Sequence, residues 1–130
     1  MPQRNGILLI NAHELDSPST VEKLQSVLKI ANKYSIPVWT FSRGKNIGYG
    51  GPAPRLPGSV ALDLHRMNKV IEVNEKFSYA VVEPGVTFSD LYAHCVSHKL
   101  KVWPSVPSLG WGSVIGNVSP SAKREKGILH

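Results

Sequence analysis

Apolar residues at Val21, Leu24, Leu28, Ala31 and Tyr34 recur at helical spacing, three or four apart, and predict an amphipathic first helix. Ser19 stands where an N-cap hydroxyl is needed, and Glu22, three residues on, completes a capping box. Ile36-Pro37 ends the helix, because proline disfavours helical backbone in the residue before it. The next run, Val38-Trp39-Thr40-Phe41, is short, apolar and rich in β-favouring side chains, and reads as a buried strand in a βαβ-type start. Three further β-like runs, Ser59–Leu64, Val70–Val73 and Tyr79–Glu83, predict a small sheet built from antiparallel hairpins. Pro84-Gly85 breaks the pattern. Thr87 and Asp90 then form a second capping box, opening a helix to about His98 with Phe88, Leu91, Tyr92 and Cys95 on its apolar face. Lys101-Val102-Trp103 is a candidate strand, and Trp39 and Trp103 are expected in the core. The fold class is therefore α/β, equally α+β: two helices on a small mixed sheet.

Two stretches fit no regular element. Ser42 to Gly58 holds five glycines and three prolines, and Pro104 to Asn117 is again rich in glycine, serine and proline. Loops of this length between core elements are commonly functional or disordered. In Ser42-Arg43-Gly44-Lys45-Asn46-Ile47-Gly48-Tyr49-Gly50-Gly51, small residues let successive backbone N–H groups converge on an anion, as in a phosphate cradle. A Walker-type loop is excluded: were Lys45 its lysine, the first glycine would fall at Trp39. Gly48-Tyr49-Gly50-Gly51-Pro52-Ala53 matches a relaxed dinucleotide pattern, but that pattern must open a helix, and Pro52, Pro54 and Pro57 forbid one. What remains is a loop wrapping a pyrophosphate through backbone amides, with Arg43 and Lys45 offering positive charge, or else a plain glycine-rich connection. The second loop adds short hydrogen-bonding arms from serine and asparagine. Two such loops in one domain favour a large ligand.

Composition narrows the classes further. The chain has 130 residues, 42% of them hydrophobic, enough for one domain with a core. Its net charge of +6 comes from basic residues spread singly; the one dense run, Lys123-Arg124-Glu125-Lys126, contains an acid, which argues against a nucleic-acid partner. Ile7-Leu8-Leu9-Ile10 is too brief to span a membrane and ends too early for a signal peptide, so a cytoplasmic protein is expected. One cysteine, Cys95, allows no internal disulfide and reads as a small core residue. His94 and His98 lie four apart on a helix but lack a third nearby ligand, so no metal is expected. Asp63, His65 and Glu83 each end a strand and read as turn hydrogen-bonders rather than as an acid-base set.

Ser42 to Gly51, Pro54-Arg55, Gly58-Ser59-Val60 with Asp63, Val82-Glu83-Pro84-Gly85-Val86 and Gly112-Ser113-Val114-Ile115-Gly116-Asn117 follow one another in an order that resembles the vanillyl-alcohol oxidase and 4-cresol dehydrogenase type of flavoprotein, with its PCMH-type flavin domain. The resemblance runs from about Thr20 to Asn117. It implies flavin adenine dinucleotide (FAD) as cofactor. It assigns Ser42, Arg43, Gly44, Lys45, Asn46, Ile47, Gly48, Tyr49 and Gly50 to the pyrophosphate, and brings the second loop, through Pro107, Ser108, Gly110, Gly112, Ser113, Gly116 and Asn117, close to the isoalloxazine and pyrophosphate. It further implies hydride transfer to flavin from the benzylic carbon of a small phenolic substrate, a 4-alkylphenol or 4-hydroxybenzyl alcohol, with Tyr49 binding the phenolic oxygen.

The departures shape the expectation. Ser108 stands where oxidases of the family carry an aspartate, Trp111 replaces a usually small residue and would crowd the flavin, and Val118 to Lys126 departs from the family's continuation. Residues 19–118 are accordingly expected to form a partial PCMH-type FAD-binding domain between divergent segments 1–18 and 119–130, with the substrate domain outside the chain. The alternative is an inactive truncated fragment, or a small interaction protein, that keeps the fold without the cofactor.

Overall fold

In a computed structural model of the chain, residues 18–45, 51–105 and 110–118 are described. Helix α1 spans Val21–Lys33, and its N-cap is Thr20 rather than Ser19: the Thr20 hydroxyl accepts the Lys23 N–H at 3.4 Å. Glu22, in the first turn, has its carboxyl held below the usual range by hydrogen bonding to its own backbone N–H and to the Thr20 side chain. Ser35, at φ 53°, turns the chain out of the helix. The inward stripe is Leu24, Val27 and Ala31, whereas Val21, Leu28 and Tyr34 are exposed. Leu24 and Ala31 of the expected stripe are thus kept, and Val27 takes the inward place expected of Leu28.

Strand β1, Val38–Phe41, pairs in parallel with β2, Val60–Asp63, in the register Val38↔Val60 to Phe41↔Asp63. Backbone bonds from Val60 N–H to Pro37 C=O at 2.8 Å and from Leu64 N–H to Phe41 C=O at 3.0 Å extend the ladder at both ends. Leu62, Leu64 and Met67, packed with Leu24, Val27 and Val38, form one core beneath α1. Strands β3, Val70–Asn74, and β4, Tyr79–Val82, make a separate antiparallel hairpin with a bulge between Val70 and Glu72. The second run expected in one sheet with these, Ser59–Leu64, therefore goes to β1 instead. A parallel partner needs a long crossover, and the glycine-rich loop supplies it.

Helix α2, Phe88–Ser97, carries the expected capping box: Thr87 Oγ1 accepts the Asp90 N–H at 3.0 Å, and Asp90 Oδ2 accepts the Thr87 N–H at 2.9 Å. Its inner face, Phe88, Leu91 and Cys95, forms a second core with Val86 and Val114, flanked by Val70, Val73, Ala80, Val82 and Leu100. Tyr92, placed on that face by the sequence pattern, is exposed. Residues 101–103 form no strand, and Trp103 is 56% exposed rather than in the core. A bridge falls on Pro104 instead, and it is Val102, 7% exposed, that turns inward. Within the second loop a short helix, α3, spans Val114–Val118, where the sequence predicted no regular element. Among the described residues, no helix is long and apolar enough to cross a membrane.

Candidate flavin site

The first loop leaves the C-terminal end of β1 and the second enters α3, and the two meet. Ser42 Oγ and Ser113 Oγ are 2.5 Å apart, joining positions 71 residues apart in sequence. Ser113 is buried because its strand-like backbone bridges Thr87, with Val114 N–H donating to Val86 C=O at 3.0 Å and Phe88 N–H to Gly112 C=O at 3.1 Å. Ser113 Oγ also accepts the Gly116 N–H at 2.8 Å. A Cβ at Gly116 would lie 2.6 Å from Ser113 Oγ and 3.0 Å from Ser42 Oγ, so glycine is what allows the three residues to nest.

Other contacts fasten the same junction. Gly44, at φ +62°, lets the first loop turn back against Pro52, and Trp39 Nε1–H donates to Gly51 C=O at 3.1 Å. Lys45 Nζ sits 5.7 Å from the centroid of the Trp111 ring, within cation–π range. Arg43 points elsewhere: its Nε–H donates to Gly85 C=O at 2.7 Å and its Nη2 lies 3.3 Å from Asp90 Oδ2. The Pro84-Gly85 turn that receives it is closed by Val86 N–H to Glu83 C=O at 3.1 Å.

Of the sequence-derived site residues, Ser42 is thus brought to Ser113 and Gly116, and Lys45 to Trp111 in the stretch that holds Gly110, Gly112 and Asn117, whereas Gly44 packs against Pro52 and Arg43 reaches Gly85 and Asp90. Asn46, Ile47, Gly48, Tyr49, Gly50, Pro107 and Ser108 lie outside the described residues. Sequence reasoning missed Gly85 and Asp90 as supports of the first loop. Asp90 was visible as a cap, but nothing in the spacing linked it to Arg43.

The remaining candidates behave as core or turn residues. Asp63 Oδ1 accepts the His65 N–H at 2.9 Å, with His65 Nδ1 2.9 Å from Asp63 Oδ2. Glu83 Oε2 accepts the Lys69 N–H at 2.7 Å. The His94 and His98 rings stack with centroids 4.0 Å apart. No group of three potential metal ligands exists among the described residues. Cys95 is free and buried, and burial pushes its thiol up.

Two glycines test whether the junction fits a large cofactor. A Cβ at Gly51 or Gly112 would meet no atom within 4 Å, and neither residue has positive φ. Neither packing nor backbone geometry demands glycine there, so each loop presents bare backbone to open space, as a dinucleotide wrapped by main-chain amides requires.

A family described as an FAD binding domain matches residues 14–125. The chain belongs to this family. FAD is the cofactor of the family and of this PCMH-type domain. The FAD-binding domain is 49% identical over 84 residues to the 4-cresol dehydrogenase [hydroxylating] flavoprotein subunit of Pseudomonas putida, covering 65% of this chain and 16% of that protein. Its fold superposes on 4-ethylphenol oxidase from Gulosibacter chungangensis with TM-score 0.73 and 49% identity, covering 78% of this chain and 20% of the other. For p-cresol methylhydroxylase with substrate bound the values are TM-score 0.71 and 44%, covering 77% and 20%. The chain therefore spans about a fifth or less of the length of these relatives.

Proposed function

We propose that this FAD-binding domain serves a flavoprotein oxidoreductase acting on phenolic substrates of the 4-alkylphenol or 4-hydroxybenzyl alcohol type. The observation that carries the reading is the Ser42–Ser113 hydrogen bond over Gly116, which makes one junction of two glycine-rich loops. In this reading residues 19–118 are the flavin-binding segment. Main-chain amides from Ser42 to Gly50 surround the pyrophosphate, and Lys45 supplies its counter-charge from beside Trp111. Pro107, Ser108, Gly110, Gly112, Ser113, Gly116 and Asn117 line the approach to the ring system. FAD held there would supply the acceptor for a hydride from the benzylic carbon of the substrate. Tyr49 holds the substrate's phenolic oxygen and stabilises its charge as the hydride leaves. The similarity to 4-cresol dehydrogenase and 4-ethylphenol oxidase supports the substrate class, and a buried, unpaired Cys95 supports a cytoplasmic setting.

A second reading has one observation in its favour: the chain spans about a fifth of its relatives, so the contacts along the whole of FAD are not all its own. It would then keep the fold without retaining the cofactor. Titration of the 130-residue chain with FAD, followed by tryptophan fluorescence and flavin absorbance, separates the two. The first reading expects saturable binding that weakens by about tenfold or more in Gly112→Ala, a substitution the free protein accommodates. Absence of binding by a folded wild-type chain would establish the second.

A further inference from the structure

The guanidinium of Arg43 is spent on the protein itself. Its Nε–H and Nη2 reach in two directions, to Gly85 C=O at 2.7 Å and to Asp90 Oδ2 at 3.3 Å. Asp90 Oδ2 is at the same time the acceptor of the Thr87 N–H that caps α2. Gly85 in turn is locked: its N–H donates to Met67 C=O at 2.7 Å, and a Cβ there would lie 2.5 Å from His65 C=O and 2.7 Å from Met67 C=O. The side chain therefore ties a glycine-rich loop to two points that cannot easily move, one residue away from the Ser42–Ser113 contact. Loops gain binding precision when such support fixes their backbone before the ligand arrives.

We propose that Arg43 is a positioning residue for the cofactor loop, acting through Gly85 and Asp90, and is not the counter-charge of the pyrophosphate. The inference rests on the FAD reading for its consequence in binding, but the clamp itself has an independent readout. Lysine keeps the charge and loses the planar fork, so Arg43→Lys separates the two roles. A counter-charge would survive the Arg43→Lys substitution, and removing the negative charge in Asp90→Asn would tighten binding of an anionic cofactor. A clamp fails in both variants.

The test is FAD titration of the 130-residue chain and its Arg43→Lys, Arg43→Met and Asp90→Asn variants, with amide hydrogen exchange across residues 42–45 on the same proteins without FAD. The clamp expects faster exchange in all three variants. It also expects FAD affinity to fall roughly three- to thirtyfold in each, with the Arg43→Met and Asp90→Asn losses less than additive. Wild-type affinity in Arg43→Lys, tighter binding in Asp90→Asn, or unchanged exchange would overturn it. If the wild-type chain binds no FAD, the flavin reading of the isolated chain fails. Exchange then decides the clamp: faster exchange in all three variants sustains it, and unchanged exchange overturns it.

Discussion

Replacing Gly116 by alanine pits local helix preference against the junction of the two loops. Gly116 lies within α3, where alanine is favoured over glycine by about 1 kcal/mol. Its Cβ, however, would stand 2.6 Å from Ser113 Oγ, which is bonded both to Gly116 N–H at 2.8 Å and to Ser42 Oγ at 2.5 Å. The hydroxyl must swing away, and Ser113 is buried, so no water readily replaces its partners. Two neutral hydrogen bonds at about 0.5–1.5 kcal/mol each amount to about 1–3 kcal/mol lost. Set against the helical gain, Gly116→Ala should destabilise the chain by about 0–2 kcal/mol in urea unfolding. The greater effect should fall on FAD titration, because the side chain wedges the loops apart, and a companion Ser42→Ala should add little to it. Stabilisation by about 1 kcal/mol with wild-type FAD affinity, as helix propensity alone demands, would refute the reasoning.

Three further outcomes follow from the same packing. Gly85→Ala should cost about 2–4 kcal/mol, since its Cβ meets the backbone oxygens of His65 and Met67, which cannot rotate away; a midpoint within error of wild type in urea unfolding would contradict this. Cys95, 2% exposed and with its thiol pushed up by burial, should react with a disulfide reagent at about pH 8 only as fast as the chain opens; immediate stoichiometric labelling of the folded chain would show otherwise. His94 has its imidazole held below the usual range, first by burial and then by the neighbouring charge of His98. The unfolded state thus takes up its proton at higher pH than the folded state. Stability from this group is full above about pH 6.5 and declines as pH falls below it. His94→Gln should flatten that decline in a series of unfolding curves, and an unchanged slope would remove His94 as its source.

Much of this was legible along the chain because it depends on neighbours in sequence. The capping box Thr87–Asp90 is a three-residue relation, and its apolar partners Phe88, Leu91 and Cys95 follow at helical spacing, so α2 emerged almost intact. The first helix shifted its cap to Thr20 because Ser19 and Thr20 offer equivalent hydroxyls, and only the backbone geometry selects one. Strand partners were harder. Ser59–Leu64 reads the same in sequence whether it pairs with the following hairpin or with Val38–Phe41, and the choice is made by burial: Val60, Ala61 and Leu62 are all buried, as a parallel strand covered on both faces requires. Trp103 illustrates the reverse error, a large apolar residue left outside while its neighbours Val102 and Pro104 are buried. At the site, the glycine pattern exposed the loops, but the meeting of Ser42 with Ser113 depends on a long-range register that no local motif encodes.

That register has a physical origin in the turn between the cores. One core lies under α1, around Leu62, Leu64 and Met67, and the other under α2, around Val86, Phe88 and Leu91. Leu64 and Met67 belong to the first, and Gly85 N–H bonds Met67 C=O where the second begins. Without a side chain at position 85, the two chain segments approach closely enough for Val86 and Thr87 to run beside Ser113 and Val114. Ser113 then faces the end of β1, where Ser42 begins the first loop. The two glycine-rich loops are therefore aligned by the same close contact that unites the cores. Substitutions at Gly85 should disturb loop alignment and stability together, whereas those at Gly112, which meets no neighbour, should disturb FAD binding alone. A stable Gly85 variant with normal FAD affinity would break that link between core and site.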